Sequence, residues 1–143
     1  MGIFGKLFGS KKIKITDPDF GEIESVSVRG NKVDWQVLRK FLGSDIEILI
    51  EGDQNGISET QKQVLLNALN NETQIRSEAE KALKEQYDNA EMEFLSIEDH
   101  FDVKAISVEE NGFELTFQEK EGQNYYFNVY FENNKQIGVS IDG

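Results

Sequence analysis

The chain has 143 residues, 38% of them apolar, with 15 basic against 27 acidic side chains and no cysteine. A chain of this length fits one domain that buries roughly 68–70% of the surface its unfolded form exposes, and its composition is too apolar for disorder. The lack of cysteine excludes disulfides, thiolate zinc sites and cysteine nucleophiles and points to a reducing cytoplasm, while the net charge of −12 opposes nucleic acid and permits a basic protein partner.

The charge is unevenly spread. Residues 1–14 hold Lys6, Lys11, Lys12 and Lys14 and no acid, which leaves 11 basic and 27 acidic residues, or −16, for the rest. Residues 1–11 read as a basic amphipathic tail, with Ile3, Phe4, Leu7 and Phe8 at helical spacing. Residues 12–143 read as a single α+β domain. So short a tail would dip those four apolar side chains into an anionic membrane surface weakly and reversibly, with residues 1–12 as the contact. No stretch approaches the ~18 consecutive apolar residues of a spanning helix, and the start lacks the apolar run and cleavage site of a signal peptide.

Alternation begins after the tail. Ile13 and Ile15 share a face of a short strand, Asp17-Pro18-Asp19 makes a turn, and Ile23, Val26 and Val28 continue in a second strand up to the reversal at Arg29-Gly30-Asn31. Residues 32–42 admit two readings: Trp35 and Val37 alternate as in a strand, whereas Trp35, Leu38 and Leu42 share a helical face. The strand is preferred. Ile46, Ile48 and Ile50, alternating with Asp45, Glu47, Leu49 and Glu51, define a β-strand that ends at the Asn55-Gly56 turn.

Ser58 with Gln61 three residues on predicts a capping box and a helix from Glu59. Val64, Leu65, Ala68 and Leu69 give that helix its stripe, and Asn70-Asn71 a stop or bend. A second helical stretch over residues 72–88 carries Ile75, Ala79, Ala82, Leu83 and Tyr87; the two form a hairpin or one kinked helix. Beyond an acidic connection, Val103 and Ala105 lead to the hairpin signal Asn111-Gly112. Three apolar faces follow: Phe113, Leu115 and Phe117, then Tyr125, Phe127, Val129 and Phe131, then Ile137, Val139 and Ile141. The predicted architecture is α+β: an antiparallel sheet of N-terminal strands and a C-terminal meander, with a central helical pair packed on one face.

The run from Trp35 through Phe41, Gly43, the Ile-Glu-Gly-Asp strand end and the Ser58/Gln61 pair to Leu83 and Tyr87, with a late hairpin ending in Asp142-Gly143, resembles small bacterial α+β domains of unknown function. Some such domains are similar to toxin-immunity proteins. The resemblance implies a protein-neutralising role and covers most of residues 15–143, but rests on packing and capping residues, so it assigns no functional residue.

Among chemical constellations, His100 with Asp99 and Asp102 is the candidate metal site or general base; beside it stands the reading of a solvated acidic loop, which the lack of a second histidine favours. Asp53, Asn55 and Gly56 do not make a calcium loop, because counting Glu51 as position 1 puts Lys62 where a bidentate glutamate belongs. Gly5, Gly9, Ser10 and Lys11 lack phosphate-loop spacing, and Lys6 stands where N-myristoylation expects Ser or Thr. No catalytic residue and no cofactor are expected. Tyr126 and Tyr130, on the face opposite Phe127 and Phe131, are candidate partner-binding residues, with Tyr125 and Trp35 as further aromatic markers. The leading expectation is a non-catalytic cytoplasmic module whose acidic surface meets a basic protein. The alternatives are a hydrolase or metal enzyme around His100 and a peripheral membrane adaptor held by the tail.

Overall fold

A computed structural model describes residues 12–143 of the chain. The tail residues Ile3, Phe4, Leu7 and Phe8 lie outside the described residues.

The chain opens with β1 (Lys14–Asp17) and β2 (Gly21–Arg29). They are joined by a turn in which the Asp17 carboxylate accepts from the backbone N–H groups of Asp19 (2.8 Å) and Phe20 (3.1 Å). β3 (Lys32–Phe41) and β4 (Ser44–Asp53) follow, so residues 32–41 are strand. Helical packing of Trp35 with Leu38 loses because Trp35 and Val37 alternate into the core, while Leu38 faces away and is 72% exposed. The two-residue loop between β3 and β4 puts both Leu42 (φ 51°) and Gly43 (φ 82°) in the left-handed region that the twist of a tight hairpin requires. β5 (Gly56–Ile57) folds back on the end of β4.

The helices are α1 (Glu59–Leu69) and α2 (Glu72–Asn89), separated at Asn70-Asn71. They are therefore two helices and not one kinked helix. The predicted capping box does not form. Ser58 makes no side-chain cap bond, and the Gln61 amide oxygen instead accepts from the backbone N–H of Glu51 at 2.9 Å, tying the first turn of α1 to β4. The α2 stripe of Ile75, Ala79, Ala82, Leu83 and Tyr87 is buried as its 3.6-residue spacing requires. A short helix, α3 (Ile97–His100), capped by Ser96, interrupts what the sequence presents as an acidic connection. β6 (Phe101–Val108), β7 (Gly112–Glu119), β8 (Tyr126–Glu132) and β9 (Lys135–Asp142) complete the fold.

The strands form one sheet in the order β1-β2-β3-β4-β6-β7-β8-β9, with β5 paired to β4. Among the described residues neighbours are antiparallel except at one place. β4 and β6 run parallel, which corrects the wholly antiparallel expectation. The reason is topological: the helical segment carries the chain back to the starting end of β4 before β6 begins, as a parallel crossover must. Both halves are meanders, joined by this one parallel contact.

Alternate residues of the strands and the inner faces of the helices make one core. Trp35, Ile48, Ile50, Phe117 and Phe131 are fully buried with Leu65, Ile75 and Leu83. The Trp35 indole N–H donates to the Asp53 carbonyl at 3.0 Å, so burial leaves no orphan donor. Phe113 stacks on Phe131 at 4.8 Å and Phe101 meets Phe127 edge-on at 4.9 Å. Gly112, read from the sequence as a turn residue, is the first residue of β7 and buried; a Cβ there would overlap the Phe131 carbonyl oxygen. Close strand approach, not turn conformation, demands the glycine.

Inside this core edge sits a charged group. Lys62, on the first turns of α1, is 8% exposed and reaches Asp17 at 2.7 Å and Asp19 at 3.0 Å, with its ammonium 5.8 Å from the centre of the Phe20 ring. Burial pushes the Asp17 carboxyl up, but the Lys62 ammonium and the two backbone N–H bonds outweigh it and hold the carboxyl below its ordinary value. Burial pushes Lys62 down, and its two carboxylates outweigh that in turn, raising it. The pair pins α1 to the β1–β2 turn.

Candidate interaction surface

The helices pack against one face of the sheet, and among the described residues nothing covers the other. Strand registers assign its side chains. Asp34, Leu38 and Lys40 of β3 stand opposite Glu51, Glu47 and Asp45 of β4; Ala105 and Ser107 of β6 follow; then Glu114, Thr116 and Gln118 of β7, and Tyr130, Asn128 and Tyr126 of β8.

The parallel contact shapes this face. β4 and β6 pair only over Glu47–Leu49 with Ala105–Ser107, so they part on either side of that short seam. A shallow depression of about 750 Å³ opens at one end, lined by Leu38, Asp45, Glu47, Lys104, Gln118 and Tyr126. Lys104 is the extra residue of a β-bulge in β6, which aims it out of the regular alternation. At the other end a depression of about 550 Å³ is lined by Lys32, Asp34, Glu51, Glu109 and Glu110. Arg29 engages Asp34 at 3.1 Å and Glu51 at 4.0 Å, and Lys40 engages Asp45 at 3.3 Å; Arg29, Lys40 and Asp45 are exposed, Asp34 and Glu51 half-buried. Among the described residues no ion pair engages Glu47, Asp102, Glu109, Glu110 or Glu114. An exposed leucine and a tyrosine thus border a depression of mixed charge, in which Arg39, Lys40 and Lys104 stand with Asp45 and Glu47.

The two tyrosines singled out by alternation separate here. Tyr126 borders the larger depression and is 38% exposed. Tyr130 is half-buried, its hydroxyl sharing a hydrogen bond with Ser140 at 3.2 Å. It belongs to a polar ladder in which the Asn128 side chain, buried despite its position on the uncovered face, accepts from Thr116 at 2.9 Å and donates to Asp142 at 2.8 Å. Trp35 is a core residue and marks no surface. Tyr125 is exposed beside the β7–β8 loop.

His100 lies on the helix side, against Tyr87 (4.9 Å between ring centres) and Phe94 (5.3 Å). Its Nε2 accepts from the backbone N–H of Leu95 at 2.9 Å, so the lone pair that would bind a metal or take a proton is in use. Asp99 accepts from the Ser96 hydroxyl at 2.8 Å, and Asp102, paired across from Gln118, faces the opposite side of the sheet from Phe101. The three do not converge, and among the described residues no group of three or more His, Cys, Asp or Glu side chains is placed to hold a metal ion. A cavity of about 330 Å³ beside His100 is lined by Tyr87, Glu93, Glu119 and Glu121. Its polar centre is closed on itself: the Tyr87 hydroxyl donates to Glu119 at 2.5 Å, and burial together with that carboxylate pushes the phenol up. The Asp53 carboxylate accepts from the backbone N–H of Asn55 at 2.8 Å, the local turn bond that the failed calcium-loop spacing implies.

Sequence reasoning missed Leu38, Glu47 and Lys104. Leu38 carried a usable signal, an apolar residue out of phase with Trp35 and Val37 in a strand. Glu47 and Lys104 carried none, because the seam that brings them together is a tertiary pairing.

Comparison with known protein families, with curated proteins and with solved structures finds no match. Among the described residues no helix is long and apolar enough to cross a membrane.

Proposed function

We propose that the protein is a non-catalytic cytoplasmic binding module whose uncovered sheet face takes a basic protein partner. One observation carries this reading: exposed Leu38 and Tyr126 border one depression at the seam between β4 and β6 together with Glu47, and among the described residues Glu47, Asp102 and Glu114 of this face have no ion partner. A partner surface that presents lysine or arginine around an apolar residue would bury Leu38 and neutralise Glu47 and Asp102 together. Apolar anchors would supply affinity, and the carboxylates speed and selectivity. The narrower form of the proposal, toxin immunity, draws on the resemblance to immunity proteins and makes that partner a toxin. Cytoplasmic residence draws on the absence of cysteine.

The test is retention of host proteins by the immobilised full chain in low and high salt, in parallel with a Leu38→Glu, Glu47→Lys variant. The expected result is a basic protein held by the unmodified chain at low salt, released at high salt and not held by the variant. Retention of no basic protein at low salt overturns the reading.

A further inference from the structure

We infer that β9 is a self-pairing edge through which two copies of the chain join as a two-fold dimer. An open sheet has two edges, and these two differ. β1 is only four residues long, begins at Lys14 with Lys12 just before it, and ends in the turn at Pro18. Short length and lysines are the devices that keep an edge strand from recruiting another chain. β9 has eight residues and among the described residues pairs only with β8, so the backbone groups on its far side are open to a further strand. It also exposes β-branched side chains: Ile137 is 60% and Ile141 47% exposed.

The self-complementarity of β9 selects a second copy as occupant. Tyr130 pairs with Gly138 and Phe131 with Gln136, which leaves Ile137 as the extra residue of a bulge. Gly138, Ser140 and Asp142 therefore face the uncovered side with Tyr130, Asn128 and Tyr126, and Lys135, opposite Glu132, faces that side too. An antiparallel pairing about a two-fold axis through Val139, normal to the sheet, matches side to side. Val139 meets Val139 of the second copy and Gly138 meets Ser140. Past the bulge, Gln136 meets Ile141 and Lys135 meets Asp142. Two opposite-charge pairs thus close the two ends of the contact, whereas a parallel pairing would set like against like. Asp142 is pre-positioned, since one of its oxygens already accepts from Asn128. Glu78 of α2 accepts from the backbone N–H of Gln136 at 3.2 Å, so that end of the strand contributes side chains rather than ladder bonds. With the other edge guarded, the assembly closes at two copies instead of growing into a fibre.

The test is sedimentation of the full chain from micromolar to near-millimolar concentration. The expected average mass rises from 16.3 kDa towards twice that value. Lys135→Asp alone puts Asp against Asp, and Asp142→Lys alone puts Lys against Lys, so each variant is expected to self-associate at least tenfold more weakly. An equimolar mixture of the two restores both opposite-charge pairs and the dimer. Both positions are exposed, and thermal melts of each variant check that the monomer is intact. A full chain that stays at monomer mass throughout, single variants that dimerise like the unmodified chain, or a mixture that associates no better than its components overturns the inference.

Discussion

Lys62 shows how one side chain can hold two elements together at the boundary of a core. Its ammonium is taken from water, and the charge is tolerated because Asp17 and Asp19 both face it. Removing the cation alone would leave Asp17, 6% exposed, as a buried unpaired carboxylate. Lys62→Met is therefore expected to lose about 3 kcal/mol in urea denaturation. The pH dependence follows from the directions of the shifts. The folded Asp17 carboxyl lies below its unfolded value near ~3.9, so its stabilisation is present above that pH and is lost as pH falls through the lower folded value. Lys62 lies above its unfolded value, so its share is present through neutral pH and is lost only as pH rises through the raised value. Asp17→Asn should accordingly be less stable at neutral pH and show a flatter loss of stability below about pH 4 in acid titrations followed by circular dichroism. At the start of α1 the structure separates two residues that a sequence motif would join. Ser58→Ala should cost less than the ~1 kcal/mol of a working cap, since no cap bond exists. Gln61→Ala should cost about 1–3 kcal/mol by stranding the Glu51 N–H. Equal losses in denaturant titrations would contradict this assignment.

At the scale of elements, periodicity was legible wherever one face of a strand or helix is buried. The Ile46, Ile48, Ile50 alternation and the α2 stripe could be read directly because burial acts on every second or every third to fourth residue. The meander from β6 to β9 was legible for the same reason, with short loops joining its strands. Three features were not. The bulges in β2, β6 and β9 shift the alternation by a residue, which is why Ile137 is far more exposed than its apparent strand phase implies. α3 is a single turn, too short for a periodic signal. The β4–β6 contact joins strands more than fifty residues apart in the chain, and no local pattern encodes a pairing partner. The two sides of the sheet should respond differently to substitution. Ile48→Ala, at the buried side of the seam, is expected to cost about 2–5 kcal/mol, and Leu38→Thr, on the uncovered side, within about 0.5 kcal/mol. Chemical denaturation of both variants checks the contrast; comparable losses would mean that Leu38 is packed and not presented.

On the scale of the whole molecule, the acidity that composition revealed is not spread as a uniform coat. Part of it is spent locally, as in the Arg76–Glu98 and Lys84–Asp88 pairs on the helix side. Part stands on the uncovered face at Glu47, Asp102 and Glu114, which among the described residues have no ion partner although Lys40 and Lys104 line the same depression as Glu47. Of the candidate surface, Tyr126 was legible from strand alternation alone, and the acidic character from charge counting. The depressions were not, because they arise where two strands that pair over only three residues part from each other. His100 with its acidic neighbours had the look of chemistry in one dimension. In three dimensions strand alternation sends Asp102 to the other side of the sheet, and the imidazole is committed to a backbone N–H.

The most direct measurement of the central claim is photo-crosslinking in the living host, with a photoreactive phenylalanine placed at Leu38 on the uncovered face or, as a control, at exposed Glu85 on α2. The account predicts an adduct between position 38 and a basic protein, none at position 85, and loss of the position-38 adduct when Glu47 and Asp102 are changed to lysine. No adduct at position 38, or the same adducts at both positions, would contradict it.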